Sequence, residues 1–314
     1  MPTGLLLVDK PQGLTSHDVV ARARRALGTR KVGHAGTLDP MATGLLTLGA
    51  GSATRLLTYL VGLDKTYETT MRLGAATTTD DAEGEVVSTA EPALVAAVTD
   101  AALAAGISAL TGEIDQRPSS VSAIKVDGKR AYDRVRAGEE VELASRRVTI
   151  SAFEVLAVRR TGDAIEVDAR IDCSSGTYIR ALARDLGAAL GIGGHLTALR
   201  RTRVGSFDVA DAVSLETLAE GGASLLASPA EVAARLFPVL DVDAAQARDL
   251  GHGKLLTLAE HPDAEPVAAI ERGAGGGSTR AGHPDRLVAL ISVRQGRGRT
   301  LVGFPPESAQ EAPQ

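Results

Sequence analysis

The sequence predicts an α+β protein: a mixed, largely antiparallel sheet flanked by helices, followed by a small β-rich module. Strand patterns dominate the middle of the chain, helical patterns lie on either side of them, and a stretch over 221–230 is rich in Gly, Ala, Ser and Pro. A chain of 314 residues suits two domains. We therefore place the first domain at 1–238 and the second at 239–314.

Periodicity and turn residues order the elements of the first domain. Ser16 is predicted to cap a helix that ends at Gly28, and the glycines and proline of 28–44 predict a long loop. The predicted elements are, in order, a strand over 4–9, a helix over 18–27, the loop over 28–44, a strand over 65–73, a helix over 92–105, strands over 146–158 and 164–172, and a helix over 177–190.

The tail has a separate pattern. It predicts a helix over 243–250 followed by short strands over 265–271, 287–293 and 299–304. A Gly-rich insertion near 273–283 interrupts these strands and indicates a flexible segment, and the last ten residues are expected to fray.

Composition excludes several classes of protein. Hydrophobic residues make up 44% and charged residues 23%, which is typical of a globular protein. No apolar run approaches the roughly 18 residues that span a bilayer, and the N-terminus lacks the basic region of a signal peptide. A single cysteine, Cys173, excludes an intrachain disulfide framework. We therefore expect a cytoplasmic protein that binds no membrane.

Charge is unevenly distributed along a chain whose formal net charge is −5. Such segregation indicates either one basic face on an acidic protein or ordinary solvated helix faces. The basic clusters are Arg22 to Lys31, Lys125 to Arg136, Arg146 and Arg147, Arg200 to Arg203, and Arg294 to Arg299.

The sequence contains no motif that indicates a nucleotide cofactor or a metal site. The segment Gly49–Thr54 resembles the start of a dinucleotide fingerprint but lacks its third glycine, and neither a P-loop nor a Gly-x-Ser-x-Gly motif occurs. The six histidines show no metal-ligand spacing with one another or with Cys173. We expect no cofactor and no metal.

The segment Gly33–Gly44 is the most informative part of the sequence. Its glycines permit close approach of the backbone to a ligand, and Pro40 pushes Asp39 into an extended conformation. A carboxylate held on a rigid turn can act as a nucleophile or a base. An Asp-Pro turn beside a solvated His34 is the alternative.

The same segment resembles the signature Gly-His-x-Gly-x-Leu-Asp-Pro-x-Ala-x-Gly of the TruB family of tRNA pseudouridine synthases. Five further blocks agree with the family in order, and the resemblance spans about two-thirds of the chain, from residue 4 to 207. The blocks are Asp9–Ser16, Lys65–Tyr67, Thr77–Gly84, Cys173–Arg180, and His195 with Leu199–Arg201. The chain departs from the family over 116–123, where a Pro-Pro pair is replaced by Arg117-Pro118. The tail resembles the family's PUA-type RNA-binding module.

The resemblance implies isomerisation of uridine to pseudouridine at position 55 in the T-loop of tRNA, on a pseudouridine synthase fold. No atom is gained or lost in that reaction, so no cofactor is required. The expected partner is the T-arm of tRNA, with the enzyme acting as a monomer. The target base must leave the RNA stack, and flipping is least costly in a loop.

Roles for individual residues follow from the same resemblance. Asp39 is the expected catalytic carboxylate, paired with Arg180, and Tyr67 is expected to stack on the target base. Tyr178 and Leu199 complete the base pocket, and His34 fills the space that the base vacates. Lys10, Arg200 and Arg201 are expected to contact phosphates.

Two other functions stay open at this point. One is a non-catalytic protein that binds tRNA or assists its folding, although the presence of both Asp39 and Arg180 favours an enzyme. The other is a carboxylate hydrolase, which mostly needs a second carboxylate, and none lies within 33–44.

Overall fold

The structure, a computed structural model, describes residues 1–119, 125–126, 129–130, 144–258, 261–273 and 285–305. Three of the segments discussed above lie outside these ranges: the Gly-rich insertion beyond Gly273, the residues after 305, and residues 120–123 of the loop that departs from the family.

Helices and strands alternate irregularly along the described residues. The helices are α1 (Ser16–Ala26), α2 (Leu57–Val61), α3 (Pro92–Ala97), α4 (Asp100–Ala109), α5 (Ile179–Ala189), α6 (Leu215–Gly221), α7 (Pro229–Leu236) and α8 (Ala244–Gly251). The strands are β1 (Gly4–Lys10), β2 (Val32–Ala35), β3 (Thr43–Ala50), β4 (Lys65–Leu73), β5 (Ala75–Thr77), β6 (Val86–Thr89), β7 (Gly112–Gln116), β8 (Lys125–Val126), β9 (Lys129–Arg130), β10 (Arg146–Thr161), β11 (Ala164–Cys173), β12 (Gly194–Val204), β13 (Phe207–Asp208), β14 (Val239–Val242), β15 (Leu256–Thr257), β16 (Ala264–Glu271), β17 (Arg286–Arg294) and β18 (Arg297–Gly303).

The first sheet has nine strands within the described ranges and runs in the order β1-β3-β12-β4-β11-β10-β7, with β2 on β3 and β13 on β12. Its pairs are antiparallel except that of β12 with β3, which joins Arg200 to Thr43 and Arg201 to Gly44. The predicted mixed, largely antiparallel sheet is confirmed. Strand β4 lies in the middle of the sheet, between β12 and β11. Alternate side chains along it, which share one face of the sheet, are buried.

Helix α5 packs its apolar stripe on this sheet. Leu182 and Leu186, one turn apart, are fully buried against β4 and β12. Arg180 lies at the start of the same helix and is also buried, so the helix position that the packing fixes also fixes the guanidinium.

The tail forms a second sheet of five strands in the order β14-β16-β17-β18-β15 among the residues described. Helix α7 joins the two sheets, because its Ala233 lies in one apolar cluster with Leu5 and Leu45 of the first sheet and Leu290 of the second. The two sheets therefore share buried apolar surface. None of the described helices is long and apolar enough to cross a membrane.

Three local predictions are wrong. Residues 28–44 are not one loop, because β2 and the first residues of β3 lie within them, and β2 pairs antiparallel with the later part of β3, from Thr47 to Ala50. The glycines hide the alternation on which a strand prediction depends. The helix over 92–105 is two helices, since Val98 has an extended backbone and Thr99 caps α4. The cap of α1 is Thr15, in a capping box with Asp18, rather than Ser16.

Candidate active site

A cavity of about 330 Å³ opens on the middle of the first sheet, where the segment after β2 meets the start of α5. Six of the nine predicted site residues line it: Asp39, Tyr67, Tyr178, Arg180, Leu199 and Arg201. The other three, Lys10, His34 and Arg200, do not. The remaining lining residues are Gly36, Thr37, Leu38, Val61, Lys65, Ser175, Gly176, Thr177 and Ile179.

The turn that carries Asp39 is anchored on both sides. The Ser16 hydroxyl accepts a hydrogen bond from Leu38 N at 2.9 Å and donates one to Leu38 O at 3.0 Å. On the other side, the carbonyl of Pro40 accepts from Gly13 N at 2.8 Å and from the Lys10 ammonium at 3.3 Å. The backbone around Asp39 is thus fixed by residues from β1 and from the start of α1.

Arg201 explains two of the glycines in this segment. Its guanidinium donates to Gly36 O at 2.9 Å and to Leu45 O at 2.8 Å. A Cβ on Gly36 would lie 3.2 Å from the guanidinium, and one on Gly44 would lie 2.2 Å from the carbonyl oxygen of Arg201. Both glycines also have positive φ, of 80° and 99°.

Arg180 lies between two carboxylates. Its Nε is 3.1 Å from Asp39 Oδ2, and its Nη1 is 3.1 Å from Asp81 Oδ2. Nη1 also donates to Thr79 O at 2.8 Å. The contact predicted between Arg180 and Asp39 is present, and the guanidinium of Arg180 is held rigid by the second carboxylate.

Asp81 is a site residue whose role sequence reasoning missed. Its carboxylate is buried, accepts from Thr79 Oγ1 at 2.5 Å and from Glu83 N at 3.1 Å, and pairs with Arg180. The resemblance included it only as part of an acidic loop. In the sequence, Asp81 stands in a turn beside several Thr residues. That pattern predicts a turn, but it does not show that the carboxylate pairs with a distant arginine.

Tyr67 lies on β4 between Ile171 of β11 and Arg201 of β12, and is 7% exposed. Burial raises the pKa of its phenol above the usual value of 10.0. The hydroxyl therefore stays protonated at neutral pH and can donate a hydrogen bond inside the cavity.

Tyr178 is held through its backbone. The buried side chain of Gln116 accepts from Tyr178 N at 2.8 Å and donates to Tyr178 O at 3.0 Å. Gln116 stands at the start of the segment that departs from the family pattern. The two hydrogen bonds of its side-chain amide to Tyr178 were not predicted from the sequence.

Lys65 is a further buried lysine at the cavity wall. Its Nζ donates to Val61 O at 3.0 Å and to Leu63 O at 2.5 Å, which ties the end of α2 to β4. The Val61 carbonyl also accepts from Ser175 Oγ at 2.6 Å. Burial lowers the pKa of the Lys65 ammonium to about 8.

The predicted phosphate contacts need correction at two residues. Lys10 is 0% and Arg201 1% exposed, and both donate to backbone carbonyls of the Asp39 segment rather than facing solvent. Loop carbonyls that are removed from water need donors, and these two cations supply them. Arg200 keeps 38% of its side chain exposed, but its guanidinium binds both carboxylate oxygens of Asp9, at 3.0 and 2.7 Å.

His34 lies outside the cavity, on β2. Its ring stands edge-on to the ring of His17, with 5.5 Å between centroids and 81° between planes. Burial, followed by the nearby His17 and Arg201, lowers the pKa of His34 below its usual value of 6.5. The imidazole is therefore mainly neutral at pH 7.

No group of three or more His, Cys, Asp or Glu side chains could hold a metal ion in the part of the chain that the structure describes. The acidic and basic groups around the cavity are arranged instead as ion pairs and hydrogen bonds.

Three family models match consecutive stretches of the chain. Residues 24–179 match the N-terminal domain of TruB family pseudouridylate synthases, residues 180–239 the tRNA pseudouridylate synthase B C-terminal domain, and residues 237–305 the C-terminal domain of tRNA pseudouridine synthase II.

Individual relatives agree. A protein of Leifsonia xyli subsp. xyli named tRNA pseudouridine synthase B is 62% identical over 307 residues, covering 97% of each chain. One of Arthrobacter sp. with the same name is 53% identical, covering 99% of each. In a crystal structure of the archaeal box H/ACA sRNP Nop10–Cbf5 complex, the matching chain is 26% identical with a TM-score of 0.67, over 97% of this chain and 87% of that one.

The shared fold and these matches define an enzyme of the pseudouridine synthase class. Within that class, the chain belongs to the TruB family.

Proposed function

We propose that this enzyme isomerises uridine 55 in the T-loop of tRNA and that Asp39 is the carboxylate that acts on the nucleotide. The observation that carries the assignment to Asp39 is its exposure: 39% of its side chain is open to the cavity, whereas its partner Arg180 is only 5% exposed. A rigid, buried cation fixes the orientation of an accessible carboxylate.

The reaction balances without any added group. The N1–C1′ glycosidic bond breaks, the base turns while it stays in the cavity, and a C5–C1′ bond forms. C5 loses a proton and N1 gains one. In this proposal Asp39 acts at C1′, at C6 or on the 2′ proton, and Tyr67 supplies a phenol and a ring face to the base.

The base must be flipped out of the RNA to reach Asp39, because a stacked base shields its glycosidic bond. Tyr178 and Leu199 supply aromatic and apolar walls for the flipped base. His34, neutral and outside the cavity, is suited to occupy the space that the base leaves.

The two alternative functions fit the site less well. A non-catalytic RNA-binding protein has no need of an accessible carboxylate clamped by a buried arginine. A hydrolase needs a second working carboxylate, but Asp81 is buried and its oxygens are bound by Arg180, Thr79 Oγ1 and Glu83 N.

The second unit, 239–314, is proposed as a PUA-like RNA-binding module. Exposed Arg297 and Arg299 alternate on β18 and so point to one face of its sheet. Deleting the module would uncover the apolar cluster that it shares with the first sheet, so substitution of these two arginines is the cleaner test. Loss of tRNA affinity with an unchanged rate at saturation is expected, and unchanged affinity would dismiss this face.

The enzyme is proposed to act as a monomer. We also infer that it works in the cytoplasm, because its proposed substrate is tRNA. The direct test of function is tritium release from a tRNA transcript labelled at uridine C5. We expect tritium release from the wild-type transcript. We expect none above background from a transcript that has cytidine at position 55 and labelled uridine elsewhere. Equal release from both would overturn the assignment to position 55.

A further inference from the structure

Arg146 covers a wall of the cavity from outside. It is the first residue of β10, and its guanidinium carbon lies 5.1 Å from the centroid of the Tyr178 ring. A Cβ added to Gly176 would be 3.6 Å from Arg146 Nη1. Tyr178 and Gly176 both line the cavity that holds Asp39. The guanidinium therefore lies at the edge of the cavity, one side chain away from its interior.

The position of Tyr178 does not depend on Arg146 alone. Gln116, the residue opposite Arg146 on β7, already fixes the Tyr178 backbone with two hydrogen bonds. Arg146 adds a cation–π contact with the face of the ring, and its guanidinium makes no hydrogen bond to another described residue.

The charge of Arg146 has no carboxylate partner among the described residues, although the side chain is half-buried. The next residue provides a contrast. Arg147 is 71% exposed and lies 3.8 Å from Glu113 and 4.0 Å from Asp115. Of two adjacent arginines, the exposed one faces acidic groups, and the one beside the cavity faces none among the described residues.

We propose that Arg146 binds a phosphate of the RNA nucleotide whose base enters the cavity, with the Tyr178 ring serving as the platform that holds the guanidinium in place. This inference rests on the proposed function, because it takes RNA as the substrate. A guanidinium presents paired N–H groups that match two phosphate oxygens, and a base seated beside Tyr178 brings its own phosphates to the edge of the cavity.

The test uses the full-length enzyme and an unmodified tRNA transcript, with affinity measured over a series of KCl concentrations. Arg146→Gln removes the charge but keeps a planar polar group. It is expected to lower the log–log salt slope by about 0.7–0.9, the contribution of one phosphate contact, and to weaken affinity about tenfold. Arg146→Lys, which keeps the charge, should retain the slope.

Arg147→Gln is the matched control and should leave the slope unchanged, because its charge already faces Glu113 and Asp115. An unchanged slope for Arg146→Gln would show that Arg146 only positions Tyr178. An equal fall in slope for both variants would show that the two arginines contribute only general positive charge. Either result overturns the proposal. Pseudouridine formation by the wild type is measured separately, so failure of the proposed function is recognised on its own.

Discussion

Arg180 and Asp39 are joined at 3.1 Å, yet the arginine is almost completely buried and the aspartate is not. Because of this asymmetry, the Asp39 carboxylate is accessible from the cavity, while the buried guanidinium of Arg180 still has a carboxylate partner. This arrangement depends on Asp81, which neutralises the buried guanidinium from the other side.

Asp81→Asn tests that dependence. The asparagine still accepts hydrogen bonds but removes a charge that holds Arg180, so the guanidinium is expected to shift relative to Asp39. A displacement of about 1 Å can cost roughly 100-fold in rate. We expect kcat to fall by about 10- to 100-fold with little change in tRNA affinity, measured by tritium release and filter binding.

Asp80→Asn is the control for this variant. Asp80 pairs with Arg184 at 3.2 Å and has a φ of 61°, which asparagine tolerates well. Its kcat should stay within a fewfold of wild type. An Asp81→Asn enzyme as active as Asp80→Asn would contradict the role given to Asp81.

Gly44→Ala tests the close approach of β3 and β12. The added Cβ would lie 2.2 Å from Arg201 O and the residue has a φ of 99°, so both a clash and backbone strain oppose it. Strain alone costs about 1–2 kcal/mol. Gly28→Ala is the control for backbone strain without a clash, because Gly28 has a φ of 61° and its added Cβ would have no atom within 4 Å. Urea denaturation should show a larger loss of unfolding free energy for Gly44→Ala, and equal losses would refute the clash.

Lys10 gives a pH-dependent prediction. Burial lowers the pKa of its ammonium to about 8, whereas the unfolded chain keeps a pKa of 10.5. Between these values the unfolded state binds more protons, so the free energy of unfolding rises with pH, by up to about 3 kcal/mol. The contribution is lost as pH falls from about 10.5 to about 8.

The comparison is with Lys10→Met, which removes the titrating group and its hydrogen bonds to the carbonyls of Pro11, Leu14 and Pro40. The variant is expected to be less stable, by a margin that is larger at pH 9.5 than at pH 7.5. A margin independent of pH would contradict the burial of a charged Lys10.

His34 and His17 give a prediction that NMR can check. The neighbouring His17 is one of the causes that lower the pKa of His34, after burial. Following the His34 ring protons through a pH titration should give a pKa below 6.5 in wild type and a higher one in His17→Asn. An unchanged value would mean that the edge-on contact of the two rings carries no electrostatic coupling.

The α+β class and several elements were predictable from periodicity together with the family resemblance, but strand β12 in the middle of the first sheet and the burial of charged residues were not. Lys10 and Arg201 were expected to contact phosphates of the RNA, which requires accessible side chains. They are buried because the carbonyls around Asp39 need donors, a requirement that exists only once the loop is folded. Strand β2 was missed for a related reason: pairing with β3, rather than its own Gly-His pattern, makes it a strand.

The candidate site was predictable only through the family signature. Asp39 and Arg180 are far apart in the sequence, and no local pattern brings a residue of a loop to the first turn of α5. Asp81, Gln116 and Arg146 have ordinary local environments in the sequence. Their importance comes from contacts with Arg180 and Tyr178 that only the assembled sheet creates.

Asp39→Asn is the most direct measurement of the central claim. The substitution keeps the size and hydrogen-bonding capacity of the side chain but removes the ionised carboxylate beside Arg180. Under single-turnover conditions with saturating tRNA transcript, we predict no pseudouridine at position 55 and a tRNA affinity close to that of wild type. Formation of pseudouridine at the wild-type rate by Asp39→Asn would contradict the account.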